Sequence, residues 1–394
     1  MRLKPIHIII IYLPALLLDY AFSSVLTNSS FYTSYLNLSS SFLGLIDGIT
    51  LAIYALLAVP MGKLSDRVNR TQMLYVGCLL LAGVSFALPY CNQKLHLLLI
   101  FPIIGVSMSL FWPAYEAWLA EREGEGQLLH RVMLFNLFWS TGITLGPTLS
   151  SYLYNEINPF RPFYLSSIIG LISIVVLYVS KFKPKPELTS INPEPTPPGL
   201  PSPTVRRIYL NLSRCANFSS YFVLGVLRLL APKLTIEMGI ASVVFGNMML
   251  ALGGIQTLTF LLLGTKFSTR LHFRLNPIII VQIFTTICLL GVWYIQHTLF
   301  WICAFLIIGI STAITYFSSL YYGLYQHEDK GNKSGWHEAF LAFGSLLGPL
   351  LGGVVADTVL GPKSPYLLCA IVIGISIVLQ LFIARRINLV EDEL

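Results

Sequence analysis

The sequence predicts an all-α polytopic membrane protein: twelve transmembrane helices in two pseudo-symmetric six-helix bundles. Three observations predict it. Apolar residues make up 55% of the 394 positions and charged residues 11%, with a mean hydropathy of +0.73. That is too few charges to cover a water-facing surface. Apolar runs of ~20 residues recur along the chain, each long enough to cross a ~30 Å hydrocarbon core. The Lys and Arg residues alternate in density between successive loops, as they do when alternate loops face the cytoplasm.

The first run, 6–27, follows Arg2 and Lys4. It is longer than a signal-peptide core, contains Asp19 and lacks a small-residue cleavage site, so it is expected to be retained as a span. Spans 2 to 6 follow at 41–61, 72–90, 95–120, 128–154 and 162–180. The stretch "KFKPKPELTSINPEPTPPGLPSPTVRR" is rich in Pro and charge and reads as a flexible linker. Its core, 181–206, separates an N-terminal bundle, 1–180, from a C-terminal bundle with a short tail, 207–394. Spans 7 to 12 follow at 207–231, 241–264, 275–294, 298–325, 335–356 and 365–384. Spans 5 and 10 are the most polar. With a cytoplasmic N-terminus, 19 of the 25 Lys and Arg fall on inner segments and four (Lys94, Arg161, Lys233, Lys363) on outer ones. Both termini are then cytoplasmic. The net charge of +7 therefore reports orientation in a bilayer, not nucleic-acid affinity. The six Cys form no CxxC and mostly lie in apolar runs, as packing thiols do.

The halves repeat. "PMGKLSDRVNR" (60–70) and "LLGTKFSTRLH" (262–272) are 202 residues apart, as are "VMLFNLFWSTGITLGPTLSS" (132–151) and "SGWHEAFLAFGSLLGPLLGG" (334–353). Gly142, Gly146 and Pro147 align with Gly344, Gly348 and Pro349, and Asn136 aligns with Glu338. A looser match joins "FWPAY" (111–115) to "FSSLY" (317–321).

Between spans 2 and 3, "GKLSDRVNR" (62–70) resembles the cytoplasmic signature of the major facilitator superfamily at Gly62, Asp66, Arg67 and Arg70. Asn69 replaces the family's usual Gly, and Thr71 its second basic residue. The Gly-x-x-x-Gly-Pro of span 5 looks like the family's antiporter signature, with Ser150 and Ser151 for its trailing glycines, while span 4 lacks the Arg that proton antiporters often carry. "PAYEAWLAE" (113–121) looks like the family's span 4 ending. The resemblance implies a cytoplasmic latch. Asp66 would dock on the N-terminus of span 11, whose free N–H groups favour an anion, and an Arg of the loop would reach Glu121. It also implies that Asp19, Glu116, Arg214 and Tyr321 line a central cavity.

Ionisable residues inside a bilayer face a cavity or a partner. Asp19 lies ~12 Å below the outer end of span 1 and Asp47 ~9 Å below the outer start of span 2, at 1.5 Å per residue. At similar depth, two carboxylates would hold a proton between them; alternatively each hydrogen-bonds a neighbouring helix. Arg228 lies nearer the outer end of span 7, where a long side chain can snorkel. On span 11, Gly344 and Gly348 each fall within ~20° of His337, and Glu338 ~100° away. Leu341 stands where HExxH needs its second His, which excludes a zinc hydrolase. The glycines are expected to pack span 11 against span 2 between the halves. That would aim His337 at Asp66 as a pH-sensitive part of the latch, or leave it as part of the helix's first turn. Asn28-Ser-Ser and Asn37-Leu-Ser match the glycosylation sequon.

No phosphate-binding loop is present, so an ATP-driven pump is not expected. The expected function is secondary active transport of a small solute by alternating access, coupled to a gradient such as that of protons, with efflux of an organic compound favoured. Uptake, lipid-like cargo and a non-transporting receptor are the alternatives. The protein is expected to be a monomer of the plasma membrane, without enzyme activity, metal or cofactor, whose partners are a small-molecule solute, protons and the lipid bilayer.

Overall fold

A computed structural model describes residues 5–65, 67–122, 128–155, 157–181, 201–265, 271, 273–295, 297–324 and 330–391. Its long helices are α1 Pro5–Tyr35, α2 Ser40–Ser65, α3 Arg70–Ala87, α4 Lys94–Arg122, α5 Leu128–Leu153 and α6 Arg161–Lys181 in the first half. The second half has α7 Pro203–Glu237, α8 Ser242–Leu263, α9 Leu275–Tyr294, α10 Thr298–Leu324, α11 Lys330–Ala356 and α12 Ser364–Glu391. α7 opens into a π turn at Val226–Leu230 before closing again as α-helix. Here the face carrying both helix ends Pro5 and Glu391 is termed inner, after the Lys and Arg bias.

Local chemistry sets the ends. Asn69 is extended rather than left-handed, and its side chain accepts the Thr71 N–H at 3.0 Å, capping α3. Ser202 caps α7 ahead of Pro203. Gly239 and Gly361, at φ +72° and +74°, make the left-handed turns before α8 and α12. Among the described residues eleven helices are long and apolar enough to cross a membrane. α5 is the twelfth by length but more polar. Its Thr141, Thr144, Thr148 and Ser151 hydroxyls donate to carbonyls one turn back, which lets a polar helix stay buried. α10, expected to be polar, is not: it is one of the helices long and apolar enough to cross a membrane.

The two halves pack alike. α1 crosses α5 and α6, α2 packs on α4, and α3 on α4 and α6; α7 crosses α11 and α12, α8 packs on α10, and α9 on α10 and α12. The likeness extends to single contacts. Gly142 and Gly146 lie on the carbonyls of Leu16 and Tyr20, and Gly344 and Gly348 on those of Phe218 and Phe222. Each pair is related by the same 202 residues.

This corrects the expected role of those glycines. Gly142, Gly146, Gly344 and Gly348 do not join the halves. They let the fifth helix of each half meet the first helix of its own bundle at backbone distance. The join between halves uses other faces: α2 against α11 and α5 against α8. Gly44 of α2 meets the Pro349 carbonyl, Gly353 of α11 meets the Ser40 carbonyl, and Gly246 of α8 meets Ser151 and Thr148. Pro349 and Gly353 lie ~100–180° around α11 from the glycine stripe, at 100° per residue.

Candidate solute and gating site

The first helix of each half runs through the middle of the molecule, and nearly all of α1 from Ile11 to Thr33 is buried. Asp19 of α1 and Tyr221 of α7 are equivalent positions, 202 residues apart, and both are buried. The charge of Arg228, on the π turn, acts on both of them. Glu338 of α11 also acts on Tyr221. Arg228 Nη2 donates to Gln256 Oε1 of α8 at 3.1 Å. Arg228 therefore does not snorkel to the outer face. A π turn carries an extra residue and changes the face that its side chains present, and here it aims the guanidinium inward. Asp19 and Arg228 make no direct ion pair; they face each other's field across the boundary between halves.

Aromatic rings lie beside this charged group. Trp139 of α5 packs on Tyr316 of α10 at 5.3 Å and on Phe260 of α8 at 5.7 Å, and Tyr221 lies 6.0 Å from Tyr316. Trp139 Nε1 donates to Asn136 Oδ1 at 2.8 Å. The sequence marked Asn136 as the counterpart of Glu338, but not the ring it holds.

His337 is 1% exposed and sits on Tyr316 at 4.8 Å, with Nδ1 2.9 Å from Ser319 Oγ of α10. Its Nε2 is buried without a hydrogen-bond partner. The side chain thus turns into the C-terminal bundle, not toward the end of α2. The reason is the stripe itself: His337 shares a face with Gly344 and Gly348, and that face packs on α7. The latch expected between His337 and Asp66 is corrected on this point. Asp66 itself lies outside the described residues, as do the side chains of Glu116 and Glu121. Of the other latch residues, Gly62 lies beside Pro113 of α4, Arg67 is exposed, and Arg70 opens α3.

Asp47 is fully buried on α2, and neither carboxylate oxygen has a hydrogen-bond partner. Among the described residues no charged group acts on it, Asp19 included, so the expected Asp19–Asp47 pair is not formed. Arg214 does not join Asp19 either; it lines a cleft between α7, α11 and α12. Tyr321 stacks on Phe317 at 5.5 Å. Asn28 is buried, with Nδ2 donating to the Pro159 carbonyl, so that sequon is closed to a glycan; Asn37 is exposed in a turn.

The profile of the Major Facilitator Superfamily matches residues 8–326. The chain belongs to the major facilitator superfamily. Among relatives, it is 28% identical over 171 residues to the uncharacterized MFS-type transporter MJ1317 of Methanocaldococcus jannaschii, covering 39% of this chain and 42% of that one. It is 26% identical over 156 residues to the uncharacterized MFS-type transporter YhjO of Bacillus subtilis, covering 40% and 38%. The aligned stretches thus span less than half of either relative. The fold is similar to that of a bacterial homolog of the human lysosomal transporter Spinster, inward-facing and occupied, at TM-score 0.73, 12% identity and 96% of both chains. It is likewise similar to the nucleoside transporter NupG, at TM-score 0.71, 13% identity, 96% of this chain and 98% of that one.

In this superfamily fold the outer ends of the two bundles are sealed against each other. Asp357, just past α11, accepts the Ser40 N–H at 3.1 Å, the Ser41 N–H at 2.7 Å and the Ser41 hydroxyl. It thereby caps the N-terminus of α2 from the opposite half. Ser30 of α1 donates to the Leu229 carbonyl of α7, and Tyr152 to Asn247 at 2.5 Å. The sequence points to a latch at the inner end of α2; this outer one has no motif to mark it.

Burial raises the Asp357 carboxyl, but the bonds from Ser41 and Ser40 outweigh it and hold the group below the usual carboxylate range. A group so depressed supports the seal above the ordinary carboxylate pKa and loses that support as pH falls through the depressed value. The cap should therefore be constant from pH 5 to 8. Asp357→Ala should raise the outer-open population about two- to thirty-fold, the equivalent of a helix cap worth ~0.5–2 kcal/mol. The labelling rate of a single cysteine at Ser39, by a membrane-impermeant maleimide added outside, reads this directly.

Proposed function

We propose that the chain is a secondary active transporter that moves a small organic solute by rocking its two bundles about the group formed by Asp19, Tyr221, Arg228, Gln256 and Glu338. The observation that carries this reading is the mixed charge at the boundary of the halves: Asp19 comes from one bundle, Arg228 and Glu338 from the other. Any relative rotation of the bundles changes the distance between these charges, so a bound solute or proton can bias the rotation. With all three ionised, the charges of Asp19, Arg228 and Glu338 sum to one negative charge. A cationic or zwitterionic solute, or a proton, balances it. The aromatic wall of Trp139, Phe260 and Tyr316 suits a solute with an organic body. The outer seal fits an inward-facing stage of the cycle. Efflux agrees with the Gly-x-x-x-Gly-Pro of α5. We assign the protein to the plasma membrane as a monomer with cytoplasmic termini.

Asp47 is the proton site on this reading. It is a fully buried carboxyl without a described hydrogen-bond partner, on the helix that carries half of the outer seal, and so is placed to take up and release a proton as that seal closes and opens. Opening the seal would wet it and release the proton outside. The described charged or titratable groups on the elements around it include Lys63 of α2 itself, Lys94 and His96 of α4, Arg228 and Lys233 of α7, Asp19 of α1, His337 and Glu338 of α11 and Asp357 past α11, and none of these acts on it in the sealed state; the side chains of Glu116, Glu121 and Arg122 of α4 lie outside the described residues. Asp47→Asn is expected to keep solute binding but to make flux insensitive to an imposed pH gradient. An unchanged response to the gradient removes Asp47 from coupling.

The deciding experiment is a thermal-shift screen of organic cations, anions, sugars and lipids on the purified protein, followed by flux of any hit into proteoliposomes with and without a pH gradient. Cationic or zwitterionic hits that are lost in Asp19→Asn and Glu338→Gln support the reading. Binding without flux would make the protein a receptor.

A further inference from the structure

A second feature lies away from the solute group. α7 forms the floor of a cleft whose walls are α11 and α12, on the inner half of the C-terminal bundle. It encloses about 520 Å³ and is lined by Asn211, Arg214, Phe218, Trp336, Phe340 and Ile383. Apart from Arg214 and Asn211 this lining is apolar. Trp336 is 54% exposed, and its helix carries Phe343, also exposed. Leu379, Leu381 and Phe382 of α12 are exposed alongside Ile383. Exposed rings and aliphatic chains on both walls mean that the cleft opens to acyl chains rather than to water.

The inner end of this cleft is basic. The start of α7 packs on the end of α12, through Val205, Ile208 and Leu212 against Ile387. Arg207 shares the face of α7 that carries Asn211, Arg214 and Phe218, and Arg386 lies ~60° around α12 from Ile383, at 100° per residue. Arg207 and Arg386 are exposed. Arg214 stands two turns of α7 deeper. An apolar slot between transmembrane helices, with one guanidinium inside and Arg207 and Arg386 toward its inner end, is the arrangement that takes an anionic headgroup with its chains.

We infer that the α7–α11–α12 cleft is a binding site for an anionic phospholipid of the inner leaflet, with its phosphate on Arg214, Arg207 and Arg386 and an acyl chain along Trp336 and Phe340. Arg214 is then a lipid ligand rather than a solute ligand. The site is independent of the transport reading, since it faces away from the boundary between bundles. Because α11 also carries half of the outer seal, an occupied cleft would brace that helix from behind.

The test uses the full chain in nanodiscs of phosphatidylcholine alone or with brominated phosphatidylglycerol. Wild type should show quenching of Trp336, taken as the difference from Trp336→Phe, at a lower mole fraction of brominated phosphatidylglycerol than of brominated phosphatidylcholine. Arg214→Gln should weaken that preference about five-fold, and Arg207→Gln with Arg386→Gln should do so further. Thermal unfolding in phosphatidylcholine alone checks that the variants fold. Added inorganic phosphate should not compete, since it has no chain to seat. Equal quenching by the two lipids in wild type, or an unchanged preference in Arg214→Gln, overturns the proposal. Quenching abolished by inorganic phosphate would also overturn it, by making the site one for a free anion.

Discussion

Replacing Arg228 by Met is expected to lower solute flux by about two to three orders of magnitude while the protein still folds. Removing one partner of a buried charged set leaves the other charges uncompensated, at ~3–5 kcal/mol. Here the group left behind is Asp19, a buried carboxylate without the guanidinium that acts on it and on Tyr221. Gln256 also loses its donor. Asp19→Asn alone should harm flux comparably. The double variant, Arg228→Met with Asp19→Asn, should fold better than Arg228→Met, because the charge it leaves is smaller. Flux and thermal unfolding measured on the same three preparations separate a loss of function from a loss of fold. If Arg228→Met transports normally, the charged group is not the site.

The second large effect concerns stability. Gly146→Ala and Gly348→Ala should each destabilise the protein by at least ~1–3 kcal/mol, the usual range for overpacking. At Gly146 a Cβ would stand 2.6 Å from the Tyr20 carbonyl oxygen and would run into Ser23 Oγ. At Gly348 it would run into the Phe222 carbonyl. Both obstacles include backbone, which cannot swing aside. Gly83→Ala is the control: nothing lies within 4 Å of its added Cβ, and Ala is the better helix former. Equal unfolding temperatures for Gly146→Ala and Gly83→Ala would show that α1 and α5 do not cross at backbone distance. Because the Gly146 and Gly348 crossings are copies, the two variants should lose similar stability.

Much of this architecture was legible in the sequence. Span length follows from bilayer thickness, and a 202-residue repeat of glycines is visible in the letters because each copy must solve the same crossing. The destination of those glycines was not legible. Periodicity shows that His337, Gly344 and Gly348 share a face, but α11 has two close neighbours, α7 and α2, and a stripe does not say which one it meets. Arg228 was misplaced for a different reason. Its distance along α7 points to the outer edge, and only the π turn, which no residue pattern announces, brings it to Gln256. Asp357 carries no motif because its partners are backbone N–H groups 316 and 317 residues away. Trp139 and Gln256 could have been suspected as large or polar residues inside spans. Their meeting with the other half depends on how the bundles dock, which is a tertiary matter.

The central claim is that the halves rock about the Asp19–Arg228 group, with the Asp357 seal formed at one end of the motion. Spin labels placed at Ser39 and Thr358 report the outer ends of the two bundles, and a second pair at Lys63 and Thr265 the inner ends; all four positions are exposed. Double electron–electron resonance on both pairs, across pH 5 to 8 and with each hit of the solute screen, should give two reciprocal populations: outer short with inner long, and the reverse. Asp357→Ala should shift the balance toward the second. A single outer-short arrangement under every condition, unmoved by Asp357→Ala, would contradict the account.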